Sequence, residues 1–318
     1  MTTAVLAVDV GGTTIKGSVI DEAGRSHHVR ARPTRVGDDA LVAVRDTVDE
    51  LAAAARASGL AVVSAGVVTP GLVDAATGRV CYAANLGWRD VDLRGLLQVQ
   101  LGVPVAVEHD VRAASHAEAL LGSARHTDDF AFVAVGTGIA AALVVDGHAV
   151  RGVGNAAGEV GHMPVHPGGE RCGCGQRGCL EVYASGAGMM RRYHAFGGAA
   201  ARTAEQIAAR RDDDPIAGRV WADAVDALVL GATIITMTLD PALIVFGGGV
   251  ARAGDVLLDP IRAGLADQLA WRSPPPLAPS ALGATAGRIG AGIAALGAVG
   301  RRAEATAWTA AGVLGDQP

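Results

Sequence analysis

The sequence predicts an α/β protein of two domains, and three observations carry that reading. Short Val/Ile/Ala runs bounded by glycine alternate with longer helical patterns. A length of 318 residues suits two cores of ordinary size. Half of the residues are hydrophobic but only 3% are aromatic, so the cores must be built from Ala, Val, Leu and Ile, a usage that suits helices packed closely on strands.

In chain order, AVLAVDV reads as the first strand, and the segment after the glycine turn at Gly11 alternates as a second. A helix follows near Asp39 to Ser58, then the strand AVVSAGVV, a helix near Asp92 to Leu101, and the strand PVAVEHD. A second series runs FAFVAVG, AALVVDG, helices between about Gly186 and Leu239, the strand ALIVF, and helices to the end. Ala227 to Ala251 carries one charge, Asp240, over a length that could cross a bilayer. Asp240-Pro241 interrupts it, so the expectation is a helix ending before Pro241 and a buried strand, with no membrane partner. SPPPLAPS, Ser273 to Ser280, reads as a surface loop.

A net charge of −5, a pI near 6.0 and the lack of any Lys/Arg cluster leave no electrostatic footprint for nucleic acid. The N-terminus has no basic n-region before its first strand, so no signal peptide is expected and the expected compartment is the cytoplasm.

VDVGGTTIKGSVID (Val8 to Asp21) and AVGTGIAAALVVD (Ala134 to Asp146) both read strand, Gly/Thr turn, strand, acid. A duplicated half is one explanation and would set two turns across an inter-domain cleft; chance similarity of two hairpins is the other. In the first, Asp9, Gly11, Gly12, Thr13 and Lys16 combine an acid at a strand end, glycines that admit a ligand to backbone amides, a hydroxyl and a cation. Those parts suit a nucleotide phosphate and its magnesium, although an ordinary tight hairpin fits as well. The spacing is neither a Walker loop nor a dinucleotide fingerprint. Gly136-Thr137-Gly138 is a second such turn, and Gly247-Gly248 a third glycine cluster after a buried strand.

Cys172, Cys174 and Cys179 lie too close in sequence for a sensible disulfide network. Three thiolates and one imidazole would complete a tetrahedral zinc shell, and spacing leaves His162 and His166 equally eligible as the fourth ligand. Such a closed shell is structural: it would order a loop and hold Glu159, Glu181 and a histidine ring for hydrogen bonding. Cys81 stands apart and reads as a buried small hydrophobe. Asp110 ends PVAVEHD, where it is either a general base facing a cleft or simply the N-cap of the next helix.

Asp-x-Gly-Gly-Thr-x-x-Lys, Gly-Thr-Gly-Ile, Gly-Glu-Val-Gly-His and Cys-Gly-Cys-Gly-x-x-Gly-Cys-Leu-Glu, in this order, resemble the ROK family of sugar kinases and repressors over essentially the whole chain. The resemblance implies a two-domain, actin-like and hexokinase-like ATPase fold with ribonuclease H-like duplicated halves. It implies a first domain over 1–112 plus 302–318 and a second over 113–301. It selects His162 as the metal ligand with Cys172, Cys174 and Cys179, and makes Asp110 the catalytic base. Gly71, Asn85, His109, Asp110, Glu159, His162 and Glu181 are the implied sugar contacts. Asp9, Gly11, Gly12, Thr13, Lys16, Gly136, Thr137, Gly138, Gly247 and Gly248 are the implied ATP and Mg2+ residues. Two places depart from the family pattern: His109 stands where Asn is usual, and Ala140-Ala141 where glycines are common.

The activity implied is ATP-dependent phosphorylation of a hexose, glucokinase first, with N-acetylmannosamine kinase, another N-acetylhexosamine kinase or fructokinase as alternatives, in a homodimer. A sugar-responsive regulator is the rival; family repressors carry an added N-terminal DNA-binding region, for which the strand starting near Ala4 leaves no room.

Overall fold

The computed structural model describes residues 2–314; Met1 and, from the expected return segment 302–318, residues 315–318 lie outside the described residues. The order is β1 (Thr3–Val10), β2 (Thr14–Asp21), β3 (Ser26–Pro33), α1 (Asp38–Ala57), β4 (Ala61–Thr69), β5 (Leu72–Asp74), β6 (Arg79–Ala83), β7 (Trp88–Val91), α2 (Leu93–Leu101), β8 (Val105–His109) and α3 (Asp110–Leu121). It continues with β9 (Phe130–Val135), β10 (Ile139–Val145), β11 (His148–Ala149), α4 (Leu180–Ala184), α5 (Gly186–Ala195), α6 (Ala204–Arg210), α7 (Pro215–Leu239), β12 (Leu243–Gly247), α8 (Asp255–Gln268), β13 (Leu277–Pro279), α9 (Ala286–Ala298) and α10 (Ala310–Leu314).

Two compact units result: Met1–Arg125 with Arg151–Ala156 and Thr285–Pro318, and His126–Val150 with Ala157–Ala284. The first is larger than the family-based span, because α3 and α9 cover one face of its sheet. Gly66 of β4 makes that closeness possible: a Cβ there would lie 1.9 Å from the Ala291 carbonyl of α9. On the opposite face α1 buries Val44, Val48 and Leu51 against Leu6, Val8 and Val67. Arg288 of α9 is buried and donates to the Ser18 and Ser26 hydroxyls and the Val313 carbonyl, which ties the C-terminal segment to this unit.

The two main sheets share one topology. The first runs β3-β2-β1-β4-β8 and the second β11-β10-β9-β12-β13. In each, three strands form an antiparallel meander and two more lie parallel to its first strand. The Gly/Thr turns of the sequence echo join the corresponding strands, β1–β2 and β9–β10, so the duplication is real at the level of strand order.

Two expectations change. SPPPLAPS contains β13, which pairs with β12 as Ile244↔Leu277 and Phe246↔Pro279; as the outer strand it tolerates proline, which cannot donate to a ladder. Cys81 is exposed, because β6 turns Val80 to the core and the next residue, Cys81, to the other face.

Helix α7 starts with Asp214 as N-cap and Pro215 in its first turn, and stops before Pro241 at Asp240, a left-handed C-cap with φ 49°. It is long and apolar enough to cross a membrane by length and composition, yet 61% of its apolar window is buried, against α4, α5, α6 and α8.

Candidate functional site

In the first unit, β1, β4 and β8 run parallel, so Asp9 near the end of β1 and Asp110 just beyond β8 emerge at one edge of the sheet. Their charges interact. Desolvation, with the Asp110 charge adding to it, raises Asp9 to about 7 against the opposing pull of Lys16 and Arg288. Lys16 faces Asp9 across the hairpin. Asp9 Oδ2 also lies against Gly287 in the first turn of α9, where a Cβ would come within 2.6 Å.

The turn between these strands is pinned at both ends. Gly11 N–H donates to the Thr14 carbonyl, and Thr34 donates through its hydroxyl to Gly11 and its N–H to Thr13. Gly12 and Thr13 are exposed, and the Asn85 amide lies over Gly12. Gly71, at φ 101°, makes the bend between β4 and β5.

Asp110 is not the N-cap of α3. His109 takes that position and its Nδ1 accepts from Val111 N–H at 3.2 Å, which puts any ring proton of the neutral form on Nε2. Asp110 Oδ1 shares the same amide at 2.7 Å, while its side chain stays 26% accessible.

Behind both residues stands Glu108, which accepts from His109 N–H at 2.8 Å, Arg112 Nε at 3.3 Å and Arg151 Nη1 at 3.1 Å. Desolvation would raise this buried carboxyl, but Arg151, the His109 amide and Arg112 together hold it below its usual range. Arg112 also reaches the Asn155 carbonyl, so segment 151–156 is fastened to this unit twice.

In the second unit, the turn Gly136-Thr137-Gly138 is held from two sides. Glu181 of α4 accepts from Ile139 N–H at 2.9 Å, and Gly138 leaves room for that carboxylate, since a Cβ there would lie 2.6 Å from Oε2. Gly186 N–H at the start of α5 donates to the Gly136 carbonyl at 2.7 Å. The Ala141 methyl points into the core and its N–H pairs with Gly158, so this departure from the family pattern does not crowd the turn. Gly247 ends β12, and Gly248, at φ 88°, passes under the Val135 carbonyl where no larger residue fits.

Ligand atoms of His162, Cys172, Cys174 and Cys179 all lie within 4.8 Å of one another. The Cys174 and Cys179 sulfurs are 3.8 Å apart, as are Cys172 Sγ and His162 Nδ1. Zinc–sulfur bonds of about 2.3 Å at tetrahedral angles put sulfurs about 3.8 Å apart, so the cluster has the size and donor set for zinc. Burial and the two neighbouring thiols push Cys179 up to about 12, a charge problem that a dication solves. His166 is elsewhere, with its ring edge-on to Tyr183. Glu159 is half-buried and precedes the short 3-10 turn that carries His162.

Sequence reading did not find Glu108, Arg112, Arg151 or Arg192. Glu108 had a signal, an acid beside the candidate base at a strand end. Arg151 and Arg192 had none, because their partners are distant in sequence, whereas Arg112 lies four residues after Glu108, within one helical turn of it. Arg192 of α5 braces the cysteine loop by pairing with Glu170 at 2.7 Å and Asp223 at 2.7 Å and stacking on Tyr183.

A sequence model of the ROK family matches residues 5–297. A glucokinase of Halalkalibacterium halodurans is 35% identical over 277 residues, 81% of this chain and 83% of that protein. The crystal structure of a ROK family glucokinase from Streptomyces griseus in complex with glucose and AMPPNP aligns at 30% identity with a TM-score of 0.80, over 92% of this chain and 99% of the other. A ROK family transcriptional regulator, a homolog of the E. coli MLC protein, aligns at 25% identity with a TM-score of 0.82, over 98% of this chain and 80% of the other. The fold is the two-domain actin-like, hexokinase-like ATPase fold of these relatives. With the match running over nearly its whole length, the chain belongs to the ROK family.

Proposed function

We propose that this protein is an ATP-dependent hexose kinase with glucose as its substrate, acting in the cytoplasm as a homodimer. The observation that carries the reading is the shared sheet edge of Asp9 and Asp110, with charges close enough to couple, in a chain similar to glucokinases.

Asp110 accepts the proton of the sugar hydroxyl while that oxygen attacks the γ-phosphoryl group and the bond to ADP breaks. Its first-turn position suits this, because the α3 N-terminus and the Val111 amide steady the carboxylate. Lys16 and the amides of Gly11, Gly12, Thr13 and Gly136 to Gly138 hold phosphates, with Gly247 and Gly248 beside the nucleotide. A magnesium ion bound near Asp9 would supply charge neutralisation for the phosphates.

Glu159, His162 and Glu181 bind sugar hydroxyls together with Gly71, Asn85 and His109. His162 is suited to it, since a ring that ligates a metal through Nδ1 keeps Nε2 as a donor. Zinc held by His162, Cys172, Cys174 and Cys179 orders this loop and takes no part in the chemistry.

A sugar-responsive regulator is the second reading, favoured by the TM-score of 0.82 to a ROK family transcriptional regulator. A coupled ADP-release screen separates the two, over glucose, mannose, N-acetylmannosamine, N-acetylglucosamine and fructose. Stimulation by glucose above the others supports the proposal, stimulation by another sugar reassigns the substrate, and silence with all five favours the regulator.

A further inference from the structure

We propose that the first unit carries a second small-molecule site, for a phosphate-bearing anion, at the outer edge of its main sheet. A cavity of about 400 Å3 lies along β8, lined by Arg94, Glu108, His116, Arg151 and Arg302 with Ile293 of α9 behind them. That volume is within the range of small-ligand pockets, roughly 300–1,000 Å3. None of Asp9, Gly11, Gly12, Thr13 and Lys16 lines it, so it is separate from the hairpin assigned to nucleotide phosphates.

Charge selects the ligand class. Arg94, Arg151 and Arg302 face Glu108, while Asp74 beside Arg94 and Arg112 beside Glu108 add one charge of each sign, so four guanidinium groups meet two carboxylates; His116 is neutral, since burial, then the Arg302 charge, drives it down to about 4. Two positive charges are left uncompensated. Glu108 is already committed to Arg151, Arg112 and the His109 amide, and Arg94 gives both Nη groups to the Ala75 and Ala76 carbonyls as a fixed rim. Arg302 is exposed and makes no hydrogen bond or ion pair among the described residues, so its whole donor fork is open to a ligand. β8 is the outer strand of its sheet, and the amides on its far side have no ladder partner.

Guanidinium groups bind phosphate oxygens in pairs, and a doubly charged phosphate balances the excess. A neutral sugar would leave that excess standing. A nucleotide would find no stacking surface, because no Phe, Tyr or Trp lines the cavity.

The test uses the full-length chain labelled with 13C at the histidine Cε1 positions. Its spectrum is followed by NMR during titration with inorganic phosphate and, separately, with glycerol 3-phosphate. The His116 signal is assigned by its loss in His116→Gln. A saturable shift of that signal is expected in the parent chain and in Lys16→Ala, with the midpoint raised about tenfold or more in Arg302→Glu. A lower midpoint for the ester identifies an ester ligand and an equal or higher one the free anion; both support the site. The proposal is overturned by an unmoved His116 signal with both probes, by a midpoint that Arg302→Glu leaves unchanged, or by a shift lost in Lys16→Ala.

Discussion

Asp110 and Asp9 are one helix turn and one hairpin away from ordinary structural residues, and their surroundings set them apart. His109 takes over the capping of α3, which leaves the Asp110 carboxylate part-exposed and held by a single amide. Asp110→Asn keeps the shape and removes the proton acceptor. A fall in kcat of about 10²- to 10⁴-fold is expected with sugar KM little changed; steady-state kinetics check it, and an unaltered kcat would exclude Asp110 as the base.

Asp9 makes a pH prediction. Its folded-state value, about 7, lies above the ordinary 3.8, so folding favours the protonated carboxyl. That contribution is complete below the ordinary value and disappears as pH rises through about 7. Asp9→Asn, which cannot ionise, should therefore raise Tm more at about pH 8 than at about pH 5 while abolishing activity. Calorimetry at the two pH values tests it, and an equal or reversed difference contradicts it. From sequence, Asp9 and Asp110 were recognisable as acids at strand ends; their proximity was not, because β4 lies between their strands.

Strands and helices were mostly legible because each writes its own period into the chain. Asp240-Pro241 announces the end of α7, while its start at Asp214 was not separated from the run of helices before it. β13 was hidden by its prolines, since an outer strand needs only half of its amides and so escapes the rule that excludes proline from sheets. The cysteine loop was legible in composition and not in partners. Spacing left His162 and His166 equal, and only the folded loop brings His162 Nδ1 to the thiols and turns His166 to Tyr183. If zinc orders this loop, removing it with a strong chelator should lower Tm and sugar affinity together, with metal release counted by a colorimetric dye. Full sugar binding in metal-free protein would separate the cluster from the sugar contacts. Through Glu181, two residues after Cys179, the same loop supports the turn at Gly138, so nucleotide affinity should fall as well.

At the scale of the whole chain, the first unit is closed by residues from the far end of the sequence. Trp308 is 4% exposed and packs over Gly24, Val313 is fully buried, and the Val313 carbonyl accepts from Ser26 and Arg288. Ending the chain after Arg301 removes both side chains, with about 1.5–3 kcal/mol of burial for each large apolar group, and uncovers the surface around Gly24 that Trp308 covers. The truncated protein should denature at a clearly lower urea midpoint, followed by fluorescence and circular dichroism; an unchanged midpoint would mean that the C-terminal segment is an accessory.

The amino-acid sequence alone determined the α/β class, the two Gly/Thr hairpins, the end of α7 and the set of three clustered thiols. Each of these follows from chemistry within a dozen neighbouring residues. Tertiary structure decided that α3 and α9 cover the first sheet, that Arg151 reaches Glu108, which histidine joins the thiols, and how Asp110 sits relative to Asp9. These depend on contacts between residues far apart in the chain, and the local period of a sequence carries no record of them.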